Sequence, residues 1–336
     1  MDTTTLLALI AGLMRHDTFL LNLIFPNVVT FGTSEIAFDQ LDETHKLAPF
    51  VSPYVAGKAR SSEGSVLRKL KPAYVKPKNV VDPERVLVRK AGEAVAGSLT
   101  SEQRANAIRV DILDQQRRQI MSRMEWMAAQ LLRTGKILVS GDDYPTVEVD
   151  FGRDSDNTIA LSGGARWTVE ASRDPNADLR DWMRLMDAPC THIIMGGEAL
   201  SLYLSDEKTQ KLIDSRRGSA TVLEMAPSQM FATFVGRLGA GGPEIWEYSG
   251  WYHNEAGEKT TFIAEDEVLL VSTGAPGVRA YGAILDGKAN YQALEMFPKN
   301  WVSDDPALEY IMTQSAPLPV LPLINASVCA KVTAAA

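Results

Sequence analysis

The sequence predicts an α+β chain, and three observations carry that reading. Residues 101 to 134 contain no Gly or Pro and place apolar side chains in helical steps, so they form one long helix. The runs 136 to 140 and 146 to 151 read as two strands around a Gly-Asp-Asp-Tyr-Pro turn. From about residue 170 to 295, strand, helix, helix and strand follow one another in mixed order. A length of 336 residues favours about two domains, and 45% hydrophobic with 23% charged residues is a globular composition that supports a large core.

In the long helix, Ala105, Ile108, Ile112, Ile120, Met124, Met127 and Leu131 fall on one face. Thr100 with Gln103 makes a capping-box start, Glu102 suits the positive end of the helix dipole, and Arg133 followed by Gly135 makes a stop. At about 1.5 Å per residue the helix runs roughly 50 Å, longer than one compact domain needs. A coiled coil is disfavoured, because Gln116 interrupts the apolar face and Arg117, Arg118 and Arg123 crowd the remainder without heptad order. Asp114 with Arg117 and Arg118 reads first as a solvated charge cluster.

The other elements follow in chain order. Leu6 to Met14 is an apolar run with no preceding Lys or Arg, read as a docking arm rather than a signal peptide or a membrane span. Pro26 breaks the apolar run from Phe19 to Phe25. Residues 51 to 89, rich in Pro and Gly, read as a two-stranded excursion with a tip at Ser61 to Ser65 and strand-like runs at Ala73 to Val75 and Arg85 to Val88. Such a hairpin lies on a neighbour, since it cannot bury itself. Asp154 to Gly164 reads as a polar loop. Asp178 to Met186, Glu198 to Leu204 and Glu207 to Asp214 read as helices, and Thr191 to Met195, Glu244 to Tyr248, Glu267 to Ser272, Arg279 to Ile284 and Glu309 to Thr313 as strands. A tail with Pro317, Pro319 and Pro322 follows.

Charge is uneven. Residues 51 to 90 hold ten basic residues against three acids, net +7, which leaves −15 on the rest of a chain that totals −8. A basic element in an acidic chain binds nucleic acid or an acidic surface, and another copy of the chain offers the latter. Nucleic acid is disfavoured, because Tyr54 and Tyr74 are the segment's only aromatics and proline-rich extended backbone suits an interlocking arm.

The search for chemistry returns no catalytic, cofactor or metal set. His16, His45, His192 and His253 show no zinc spacing, and Asp154, Asp156 and Thr158 start a calcium loop that fails at Ile159, where Gly is required. Gly239, Gly241 and Gly242 lack a following Lys-Ser/Thr, and no acid orients His253 toward Ser249. Asp142 with Asp143, and Glu265 with Asp266 and Glu267, read as solvated carboxylates. Cys190 and Cys329 stand in no redox or metal spacing and read as inert thiols of a reducing compartment.

Several stretches then resemble the major capsid proteins of lambda-type tailed phages, the capsid protein E family. They are Pro298-Lys299-Asn300-Trp301-Val302, Asp305-Pro306-Ala307 and Gln314-Ser315-Ala316-Pro317-Leu318, with Tyr74-Val75-Lys76-Pro77-Lys78, Val147-Glu148-Val149-Asp150 with Gly152-Arg153, and Arg216-Arg217-Gly218-Ser219. The resemblance implies the Hong Kong 97-like phage capsid fold. It places an N-terminal arm at 1–50, an extended loop over the neighbouring subunit at 51–90, a peripheral domain at 91–165 with spine helix 101–134, an axial domain at 166–295, a peripheral return at 296–320 and a C-terminal segment at 321–336. It implies no enzyme but a virion protein that self-assembles in the host cytoplasm, through hexamers and pentamers, into an icosahedral shell around phage DNA.

The implied partners are further copies of the chain, a separate scaffold protein, a portal and a decoration protein, with no sequence-specific nucleic acid and no membrane. Lys58, Arg60, Arg68 and Lys69 on the loop, with Arg117 and Arg118 on the helix, are the expected subunit-interface residues. The alternatives are a nanocompartment shell of the same fold and a cytoplasmic α+β enzyme.

Overall fold

The computed structural model describes residues 3–13, 18–33, 35–41, 65–70, 72–88, 100–141, 144–214, 226–229, 231–239, 241–254, 256–305 and 307–333. The first third of the chain forms α1 (Thr3–Gly12), α2 (Phe19–Ile24), β1 (Asn27–Thr30), β2 (Ile36–Leu41), β3 (Ser65–Leu70), β4 (Lys78–Val81) and α3 (Pro83–Leu87). Then come the long helix α4 (Ser101–Thr134), β5 (Lys136–Gly141), β6 (Tyr144–Asp150), β7 (Thr158–Ala160), α5 (Pro175–Arg184), β8 (His192–Met195), α6 (Gly197–Leu204) and α7 (Glu207–Asp214). The remainder is β9 (Ala226–Gln229), β10 (Ala232–Arg237), β11 (Glu244–Tyr248), β12 (Trp251–His253), β13 (Lys259–Thr261), β14 (Glu267–Val271), β15 (Val278–Tyr281), β16 (Phe297–Val302), β17 (Glu309–Gln314), β18 (Pro317–Val320) and β19 (Ser327–Lys331).

The caps define α4 as the sequence predicts. Thr100 Oγ1 accepts from Gln103 N, the Gln103 side chain accepts from Thr100 N, and Gly135 closes the helix at φ +72°. The Arg153 guanidinium donates to the carbonyls of Leu132 and Arg133, so a cation sits at the negative end of the helix.

The length of α4 follows from its spanning two cores. Its first half buries Ile108, Ile112, Leu113 and Ile120 against α1 and the three-stranded sheet β16-β17-β4. Its second half buries Met124, Met127, Leu131 and Leu132 against α2, β5 and β18. The larger sheet has seven strands in the order β7-β19-β14-β8-β11-β10-β9. Its side chains alternate by strand period: Ile194, Leu269 and Cys329 face the α4 core, whereas Ile193, Leu270 and Val328 face α5 and α6. A third sheet runs β1-β15-β18, and β2 pairs with β3.

Four readings of the sequence need correction. Arg85 to Val88 belongs to a helical turn, not a strand, because Asp82 caps Glu84 N and Pro83 takes the first helical position. The polar stretch 154 to 164 contains the edge strand β7, parallel to β19. The proline tail forms β18, an edge strand of its sheet where Pro is tolerated, and β19 follows inside the seven-stranded sheet. Glu267 is buried rather than solvated, and both its oxygens accept from Arg133. The tip at 61 to 64 and residues 215–225 lie outside the described residues.

Candidate functional site

The helix α4 organises the surfaces from which function must come, and each polar residue on it holds a particular element. Gln116, read as an interruption, is fully buried: its amide donates to Asn79 Oδ1 and the Ile311 carbonyl, and its oxygen accepts from Thr313. It joins α4 to two strands of one sheet. About two turns away, Arg109 donates to both oxygens of Glu309.

Glu125 holds the arm. One carboxylate oxygen accepts from Leu20 N at 2.8 Å and from the Tyr248 hydroxyl at 2.9 Å, and the other accepts from Leu21 N at 3.0 Å. At the opposite end of α2, Arg279 donates to the Phe25 carbonyl and to Asn22. A carboxylate therefore meets the positive end of α2 and a guanidinium the negative end. Burial pushes the Glu125 carboxyl above its ordinary value, opposed by the two amides, Tyr248 and Arg279.

The expected interface residues divide. Lys58 and Arg60 lie outside the described residues. Arg68 and Lys69 are in β3, their backbones opposite Phe38 and Ala37. Arg117 is half-buried and donates to the carbonyls of Ile10 at 2.7 Å and Leu13 at 2.8 Å, fastening α1 to the spine. Its neighbour Arg118 is exposed and pairs with Asp114 at 2.9 Å. Helix geometry thus sends adjacent arginines to different tasks, one inside the chain and one outward.

Arg118 borders an open groove of about 1120 Å³ between α4 and the β12–β13 hairpin. Arg123 and Trp126 share that wall, with Phe231, Trp251 and His253 opposite. Phe231 is 40% exposed at φ +65°, a left-handed conformation costly for a non-glycine residue; its carbonyl accepts from Ser249 N and its ring meets Trp251 edge-on. Sequence reasoning missed Phe231, since nothing in the local pattern marks a positive φ at an aromatic. It also missed Glu125, whose role depends on α2 lying a hundred residues away in sequence.

Among the described residues, no three His, Cys, Asp or Glu side chains gather as metal ligands, and no helix is long and apolar enough to cross a membrane. Burial pushes the thiols of Cys190 and Cys329 up to about 12, so both carry their protons at neutral pH.

The family model described as phage major capsid protein E matches residues 2–332. The major capsid protein of Enterobacteria phage P21 is 33% identical over 327 residues, with 92% of each chain covered. That of Escherichia phage lambda is 31% identical over 325 residues, with 95% of each covered. A crystal structure of a prophage protein from Escherichia coli CFT073, assigned as a capsid protein, superposes with a TM-score of 0.76 at 30% identity and covers 99% of each chain. With the family model, its full-length relatives and its fold in agreement, the chain belongs to the phage major capsid protein E family.

Proposed function

We propose that this chain is the major structural protein of a tailed-phage head, assembling through many copies of itself into a closed icosahedral shell around packaged DNA. The observation that carries the reading is the full-length match to major capsid proteins, on a chain whose long helix joins two cores. Repeated heterologous contacts around rotation axes close such a shell, and no covalent chemistry is needed. The chain acts without catalysis, in the virion, after assembly in the host cytoplasm. Its further partners are a scaffold protein, a portal and a decoration protein.

The parts take the roles the family resemblance gives them: arm at 1–50, extended loop at 51–90, peripheral domain at 91–165 and 296–320, axial domain at 166–295 and C-terminal segment at 321–336. The paired strands β2 and β3 support a loop rooted at 41 and 65. The seven-stranded sheet supports an axial body, to which β7 and β19 contribute from outside 166–295. Lys58, Arg60, Arg68, Lys69 and Arg118 are the interface residues of this reading; Arg117 acts through α1. Reversing charge at two of the four loop positions blocks shells, and normal shells would sink that assignment.

Electron microscopy of the purified chain, expressed with and without its neighbouring genes, tests the function. Shells that package DNA support it. Shells filled with protein cargo favour a nanocompartment of the same fold, and small oligomers would favour the enzyme alternative.

A further inference from the structure

Two of the sequence stretches that carry the resemblance, far apart in the chain, meet in one sheet. Lys78 begins β4, which pairs with β17, which pairs with β16. The register sets Lys78 opposite Met312, Val80 opposite Tyr310, and Tyr310 opposite Trp301. Strand alternation therefore puts Lys78, Val80, Tyr310, Trp301 and Lys299 on one face, while Asn79 and Ile311 face Gln116 of α4. Asp286 pairs with Lys299 at one end of this face, and Phe297 packs there against Ile284 and Ala289, while Lys78 and Val80 are exposed at the other edge.

Its composition is that of a contact surface. Trp301 and Tyr310 stack at 5.5 Å, and the Lys78 ammonium lies 4.2 Å from the Tyr310 centroid and 5.2 Å from that of Trp301. Lys76 lies over the ring of Tyr74 beside them. Val80, on the same face, is 40% exposed. An aromatic centre with an exposed aliphatic neighbour and a cationic rim is what protein interfaces bury.

The same sheet carries the opposite charge at one end. Asp304 and Asp305 are exposed in the turn between β16 and β17. At about 3.3 Å per residue, the stretch from Lys299 to Asp304 spans roughly 17 Å, so acids and lysines occupy separate places on one sheet. Both halves of a complementary pair at separate places on one surface suit head-to-tail contacts between copies, which form rings where the rotation closes. We propose that the outward face of the β16-β17-β4 sheet receives the Asp304–Asp305 turn of a second copy of this chain, with Lys76 and Lys78 as charge partners and Trp301 as apolar anchor. The inference rests on the shell reading and adds where one contact between subunits lies.

Charge exchange in the full chain tests it. Lys76→Glu with Lys78→Glu, or Asp304→Lys with Asp305→Lys, lowers the yield of assembled particles at least about tenfold (~1.4 kcal/mol), and all four changes together restore it. Wild-type yield in either pair, or no recovery in a combined variant that keeps the wild-type circular dichroism, overturns the proposal. A cysteine pair covers the case in which charge variants fail to fold: oxidised particles of Lys78→Cys with Asp305→Cys give a ladder of linked chains on a non-reducing gel, absent from either single variant. Monomer alone on that gel overturns the contact while wild-type shells stand. A wild-type chain that forms no particles removes the shell reading itself, and the contact with it.

Discussion

Removing the Glu125 carboxylate should release the arm helix α2 and destabilise the subunit. Glu125→Ala strands three buried donors: the amides of Leu20 and Leu21 and the Tyr248 hydroxyl. Each lost bond to a charged acceptor is worth ~1.5–3 kcal/mol, and relief from desolvating the carboxylate offsets part of the sum. The expected net cost is about 3–5 kcal/mol, which at roughly 2 °C per kcal/mol lowers the thermal midpoint by about 6–10 °C. Glu125→Gln keeps an acceptor oxygen and removes the charge, so it should cost about 1–2 kcal/mol.

The sign with pH is also fixed. Burial raises the folded pKa of Glu125 above its unfolded value, so the native state takes up the proton first as pH falls. This carboxyl therefore adds stability on acidification through its folded pKa, an increment complete below the unfolded value and absent from Glu125→Gln. The assay is thermal unfolding across pH, with hydrogen exchange at Leu20 and Leu21. A Glu125→Ala midpoint within a degree of wild type, unchanged protection of those amides, or Gln costlier than Ala would refute the clamp.

Three further substitutions probe other joints. Asp286 is held down to about 2: burial alone would raise it, but Lys299, the Lys288 amide and Gln314 together outweigh that. Its stabilisation is present above the unfolded value and is lost as pH falls through about 2, so Asp286→Asn should cost about 1–2 kcal/mol in chemical denaturation at neutral pH and little below pH 2. Gly135→Ala places a Cβ 2.5 Å from Arg153 Cβ at φ +72°, and a loss of more than about 2 kcal/mol is expected by the same denaturation. Gln116→Leu leaves Thr313 and Asn79 without their buried partner, and should lower stability by about 2 kcal/mol although it makes the helix face uniformly apolar.

Those joints also show what the sequence discloses and what it hides. The helix α4 was legible from end to end, because Thr100, Gln103 and Gly135 act locally on their own backbone. The 85 to 88 run misled because β-branched content outvoted the stronger cap signal of Asp82 and Pro83 three residues earlier. The strand β19 was invisible for another reason: Ser327–Lys331 is short and buried on both faces, so no period-two pattern survives in it. Gln116 reads as a polar flaw in an apolar face and Glu125 goes unmarked, since their partners come from β17, α2 and β11. For the candidate interface, Arg117 and Arg118 look alike in sequence and part only when α1 is in place. The family motifs were visible as residues, but their meeting in one sheet depended on pairings more than two hundred residues apart.

The central claim is that this chain builds a shell, and cryo-electron microscopy of its purified particles tests it most directly. The account predicts a closed icosahedral reconstruction in which every subunit contains the thirty-four-residue helix α4 and lays its 51–90 loop over a neighbour. A small oligomer of fixed size under the same assembly conditions, with α4 exposed to solvent along its outward face, would contradict it.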